Sequence, residues 1–227
     1  MRNTESSPVA RRSFFSRIGT GIALVGGAWT ASGPAAQAQG ARASDSRPER
    51  HASDDWLDQL PGKHRLVFDT TSPQGLDSVL LYATNFFVAN QSGYGLKDSD
   101  IGVVIIVRHN STQFGYNNAV WSKYGAALVR MRDAIDPQAS EPPAVNPYFS
   151  RPGAAIDPLI KRGTHFAVCQ MATRRIAGIL GQGSGGSAEA VYAELTSNIV
   201  PNAHMVPAGI VSLNRAQERG YSLALGG

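Results

Sequence analysis

The chain is short of sulfur and of metal-ligand chemistry. Cys169 is its sole cysteine, so no intramolecular disulfide can form. Outside the cytoplasm a lone thiol is either buried and inert or accessible and reactive, and the sequence leaves both open. The five histidines are scattered and no Cys/His set has zinc-ligand spacing, so neither a metal nor a cofactor is expected. There is no Walker P-loop and no G-x-S-x-G elbow, which removes the usual marks of nucleotide hydrolysis and α/β-hydrolase chemistry. The run from Gly181 to Gly186 matches G-x-G-x-x-G in letters only. It follows a helical stretch, whereas a dinucleotide turn follows a strand and opens a helix, so a flexible connection is expected there.

A long hydrophobic run is lacking as well. The apolar stretch Ile18 to Ala31 is too short and too rich in glycine to span a bilayer stably. It lies between a basic start, with Arg11-Arg12 followed by Phe14 and Phe15, and the small-x-small pattern Ala36-Gln37-Ala38. These parts predict a twin-arginine signal peptide over residues 1–38, cleaved after Ala38, and a folded protein exported to the periplasm. No cysteine follows the cleavage point, which argues against a lipoprotein. Charge of one sign is then scarce too. Of 21 Lys+Arg and 17 Asp+Glu, the signal carries four arginines and Glu5, leaving 17 against 16. Such a balance gives no reason to expect nucleic acid, or an anionic membrane once the signal is gone, as partner.

What remains divides in two. Residues 39–60 are read as a flexible tether, because the stretch to about Asp55 mixes Arg, Ser, Asp and Pro with few apolar residues. Residues 61–227 suit one domain with a core of its own. Leu66-Val67-Phe68 marks a first strand, and Ser72-Pro73 supplies an N-cap and a first-turn proline for a helix. Along that helix Leu76, Val79, Leu80, Ala83 and Phe87 keep helical spacing, while Tyr82, Phe86 and Val88 fall off the stripe. The second apolar face is expected to meet another subunit. Ile101 to Val107 is apolar throughout, as a central parallel strand covered on both sides must be. Further strands are expected at 166–169, 203–206 and 221–225, with helices at 116–129, 173–180, 188–196 and 207–219. This alternation predicts an α/β fold: a three-layer α/β/α sandwich with a mainly parallel sheet of about five strands. Residues 133–163 hold six prolines and form a connection longer than usual, either a lid or an oligomer-contact arm.

Ligands of open α/β sheets gather at the carboxyl ends of the strands. Those ends carry Asp69, Thr70 and Thr71, then Arg108, His109 and Asn110, then Cys169 and Gln170. Cys169 is the candidate nucleophile, since it precedes a helix whose free N–H groups favour a thiolate. Arg108, His109, Gln170 and Thr71 are the candidate ligand-binding residues. The competing reading makes Cys169 a buried packing residue and His109 a cap on its strand. His165 is no paired base, because four residues along a strand put it ~13 Å from Cys169. Arg174 and Arg175 contribute if they face the rim.

The segment from Gly163 to Met171 around Cys169, the Val206-Pro207-Ala208-Gly209 turn and the closing Gln217-Glu218-Arg219-Gly220-Tyr221 resemble, in that order, the DsrE/DsrF-like family. Thr112 to Tyr124, with Trp121-Ser-Lys-Tyr124, looks like a twin-arginine-exported branch of it. The resemblance implies a DsrE-like sheet assembled into trimers or hexamers. It also implies that Cys169 carries sulfur as a persulfide between a donor and an acceptor protein, as the matching cysteine does in the sulfur-relay members. Those members are cytoplasmic, and this chain has the added 133–163 segment.

Overall fold

The computed structural model describes residues 48–131 and 142–226. The signal peptide, the first part of the tether and residues 133–141 of the proline-rich segment lie outside the described residues.

Twelve elements follow in chain order: α1 (Trp56–Gln59), β1 (His64–Thr70), α2 (Pro73–Tyr94), β2 (Ile101–Val107), α3 (Asn118–Arg130), α4 (Ile156–Lys161), β3 (His165–Cys169), α5 (Gln170–Ser184), α6 (Ala188–Ser197), β4 (Ala203–Val206), α7 (Gly209–Glu218) and β5 (Ser222–Leu225). The five strands form one sheet in the order β4-β3-β2-β1-β5, and every neighbouring pair is parallel. The fold is thus the expected α/β sandwich. Among the described residues no helix is long and apolar enough to cross a membrane.

The strand period of two sorts side chains onto the two faces. Phe68, Val103, Ile105, Val107, Phe166 and Val168 share one core with α2 to α6. Val67, Val104, Ile106, Ala167 and Val206 share the other with α1 and α7. All seven residues of β2 are buried because it has strands on both edges and helices on both faces. Three successive crossovers carry the chain from β1 to β4 in one direction, so right-handedness keeps their helices on one face. The return from β4 to β5 runs the other way, which puts α7 on the opposite face. Connections leaving β3 and β4 therefore part to opposite sides. A crevice opens between such strands at their carboxyl ends.

Local chemistry sets the element ends. The Ser72 hydroxyl accepts from Gly75 N at 2.9 Å ahead of Pro73, and Gly95 closes α2 in the left-handed region at φ 68°. Helix α5 runs through Gly181 and Gly183, which were expected to be a connection, and stops at left-handed Gly185. Gly181 serves packing instead: a Cβ on it would lie 3.1 Å from the N of Ala188, the first residue of α6, whereas Gly183 faces open space.

Two further expectations change. The tether ends earlier than residue 60, because Ala52–Asp54 forms a 3₁₀ turn and Trp56, Leu57 and Leu60 are buried in the α7-side core. Tyr221 donates its hydroxyl hydrogen to Leu57 O at 2.7 Å, and Arg219 reaches Asp58 at 3.2 Å. Three large apolar side chains thus gather in the five residues that follow the polar stretch ending at Asp55. The described part of the proline-rich segment folds onto the domain. Asn146 is buried and donates to Phe114 O and Tyr116 O, both at 2.8 Å. Ile156 and Leu159 of α4 fill the core beside α2.

Candidate functional site

The register of β1 and β2 pairs Asp69 with Ile106, so Arg108, two residues further, emerges on the same face of the sheet. The result is a two-pronged ion pair in which Arg108 donates from Nε to Asp69 Oδ1 at 2.8 Å and from Nη2 to Oδ2 at 2.7 Å. The Asp69 side chain is 5% exposed and that of Arg108 28%. Hydrogen bonding to the carboxylate raises the Arg108 pKa above its ordinary value, and the nearby charges of Asp69 and Cys169 add to it against desolvation. Behind the pair, buried Ser111 Oγ accepts from Arg108 N at 3.1 Å and lies 2.9 Å from buried Thr70 Oγ1. His109 holds φ 56°, an uncommon value for a histidine, which turns the chain so that Ser111 comes back under Arg108.

Cys169 ends β3 beside Val206 of β4, at the parting of the crossovers. It is 7% exposed and serves as N-cap of α5 without a side-chain cap bond. Thr173 Oγ1 donates to Cys169 O at 2.9 Å, and lies 2.9 Å from the buried Tyr116 hydroxyl. Burial keeps that phenol protonated by raising its pKa well above the ordinary value.

A cleft of about 310 Å³ opens there. Arg108, His109 and Arg175 bring polar character to it, Cys169 is its thiol, and Met171 and Ile210 contribute apolar surface. Ala208 caps α7 without a side-chain bond, so the N-termini of α5 and α7 converge on the same space. The geometry suits a small anion or an anionic sulfur. A larger hollow of about 560 Å³ between α3 and α5 holds Lys123, Tyr124, Arg130 and Leu180 but no cysteine among the described residues.

Of the five site residues expected from the sequence, the structure brings Cys169, Arg108 and His109 together. It does not bring Thr71 or Gln170. Thr71 is exposed and offers its carbonyl to Asn110 N at 2.9 Å. Gln170, already in the first turn of α5, donates from Nε2 to Tyr192 of α6 at 2.7 Å. The two arginines of α5 separate: Arg175 reaches the cleft, while Arg174 stacks on the Tyr192 ring at 4.2 Å. Gly209 was not expected in the site. A Cβ there would meet Arg108 Cβ at 2.7 Å, so only glycine lets α7 begin against the arginine stem. The Val206-Pro207-Ala208-Gly209 turn is the sequence signal that could have found it.

His165 stays away from the thiol. Its Nδ1 lies 2.9 Å from His204 Nε2, and the Trp56 ring stacks on His204 at 4.0 Å between centroids. Burial, with His165 adding to it, pushes His204 down to about 4.

No protein-family model and no curated protein matches the chain. Among solved structures, it is similar to MTH1491, a protein of unknown function from Methanobacterium thermoautotrophicum, at 13% identity with a TM-score of 0.35. The match covers 72% of this chain and 99% of that one, and it carries nothing about activity.

Proposed function

We propose that this is an exported DsrE-like sulfur carrier working through Cys169. What supports the reading is the seat of the only cysteine, at the switch point of a parallel sheet, in a cleft shared with Arg108 and Arg175. In the first step the Cys169 thiolate attacks the outer sulfur of a donor persulfide. A bond from Sγ to that sulfur forms, the donor's S–S bond breaks, and the donor leaves as a thiolate that takes up a proton. An acceptor thiolate then attacks the same outer sulfur and releases Cys169 as thiolate. Both steps are redox-neutral and need no cofactor. After polysulfide treatment, intact mass should show added sulfur on the wild type and none on Cys169→Ala. Equal labelling of the two rules the carrier out.

A second reading, a non-catalytic oligomeric protein binding a small anion, is favoured by the burial of Cys169 and by the unpaired side chains of Arg175 and His109 among the described residues. Under it, Cys169→Ser keeps anion binding and native Cys169 resists alkylation until unfolding.

Export follows from the Arg11-Arg12 signal, and replacing both by lysine should leave the protein in the cytoplasm. Assembly into a homo-oligomer is proposed through α2. No charged residue lies between Asp77 and Lys97, and Leu81, Tyr82, Val88 and Tyr94 are all exposed.

A further inference from the structure

Arg130 ends α3 and lines the hollow of about 560 Å³ that opens between α3 and α5, a volume within the range of small-molecule sites. Lys123, Ala127 and Arg130 follow one another at i, i+4 and i+7, so one stripe of α3 forms a wall. Lys123 is already answered. Its Nζ donates to both oxygens of Glu194 on α6, at 2.8 and 2.7 Å, and the Tyr124 hydroxyl adds a third bond at 2.7 Å. Arg130 is exposed and has no hydrogen bond or ion pair among the described residues. The facing wall is Ile179 and Leu180 of α5, with Gly183 one turn on, and Ile179 is 45% exposed. A glycine inside a helix destabilises it relative to alanine, and it is retained where something comes close. At Gly125, Gly181 and Gly209 the close neighbour is Pro143, Ala188 and Arg108 in turn. A Cβ on Gly178 or Gly183 would meet nothing beyond its own stretch of helix within 4 Å, and of these two Gly183 lines the hollow. Packing within the chain gives no reason for glycine there.

We propose that this hollow binds a single-chain carboxylic acid, its apolar chain lying along Ile179 and Leu180 past Gly183 and its carboxylate on Arg130. Charge and surface together select that occupant. Ala126, Ala127, Met131, Ile179 and Leu180 make the walls apolar, and no acidic residue is among the described lining residues. A cation in the last turn of α3 also suits the helix dipole, so its charge alone makes no site. Here it stands at the edge of an apolar hollow, where a guanidinium can fork onto a carboxylate with two parallel bonds. A cationic amphiphile would meet Arg130 and Lys123 as like charges. The site is independent of the sulfur-carrier reading, because Ile179 lies about 15 Å along α5 from Cys169.

Isothermal titration calorimetry of the wild-type protein with dodecanoate should show saturable binding, one molecule to each chain. Dodecyltrimethylammonium, with the same chain and the opposite charge, should bind at least about 10-fold more weakly. Arg130→Gln should weaken dodecanoate by about 5- to 10-fold, through loss of the charge-assisted pair. Gly183→Leu should weaken it by about 10-fold or more, because the new side chain projects into the hollow. The urea midpoint of that variant should stay at or above the wild-type value, since leucine is the better helix former. Arg130→Gln changes an exposed side chain and reads the site even if the leucine is not tolerated. Absence of saturable dodecanoate binding by the wild type overturns the proposal. Equal binding of the two amphiphiles does so too, as does wild-type affinity in Arg130→Gln. A folded Gly183→Leu variant with wild-type affinity places the acid elsewhere and also overturns it. If that variant instead changes the assembly's mass in light scattering, the hollow takes a second copy of the chain and the proposal falls.

Discussion

A Cβ on Gly209 would lie 2.7 Å from the Cβ of Arg108 and 2.9 Å from its Cδ. The first residue of α7 is therefore packed directly on the stem of the cleft's part-buried cation. Gly209→Ala should force one of the two aside, at a cost of about 1–3 kcal/mol in unfolding free energy. It should also lower polysulfide loading of Cys169, read by intact mass. A variant as stable and as readily loaded as the wild type would show that the contact is slack.

The His165–His204 pair sets an acid limit on stability. His204 is held at about 4 in the folded chain against an ordinary 6.5, and His165 is also lowered by burial. The unfolded chain binds more protons in that window, so stability is intact above about pH 6.5 and falls as pH drops toward 4. Both rings are half exposed, so solvent screening limits the loss to about 1–2 kcal/mol. Urea unfolding at pH 7 and pH 4.5 should show a smaller acid penalty in His204→Phe than in the wild type. Equal penalties would remove the pair from the account.

Trp56 tests the reassigned N-terminal boundary. It stacks on His204 and is buried in the α7-side core. Trp56→Ala should cost about 3 kcal/mol, read as a lower urea midpoint. A true tether would show no change.

The outward face of α2 is 50% exposed at both Leu81 and Val88. Leu81→Asp combined with Val88→Asp should convert an oligomer to monomer in light scattering, with secondary structure retained. An assembly of unchanged mass would move the interface elsewhere.

Much of the framework was legible because periodicity is a local property. The unbroken apolar run Ile101–Val107 could be stable only between covering layers, and it is the sheet's middle strand. Cys169 could be put at a strand's carboxyl end for the same reason. The site's finer geometry depends on relations between strands. Asp69 and Arg108 lie 39 residues apart and meet only through the β1–β2 register. His165 and His204 meet diagonally across β3 and β4, and β4 is only four residues long. Thr71 lies past the end of β1, with β2 between it and the strand that carries Cys169, a separation in the sheet order that periodicity along the chain does not reveal. Gln170 is already helical and turned toward α6.

In the proposed carrier, the solitary, nearly enclosed Cys169 would also set a kinetic order. With no second cysteine in the chain, no internal thiol can release sulfur held on Cys169. Discharge of such a carrier would then require a separate molecule to bring its own thiol into the 310 Å³ cleft. Turnover would be bimolecular at that step, rising linearly with acceptor concentration. Isolated protein would remain loaded for as long as no acceptor arrived.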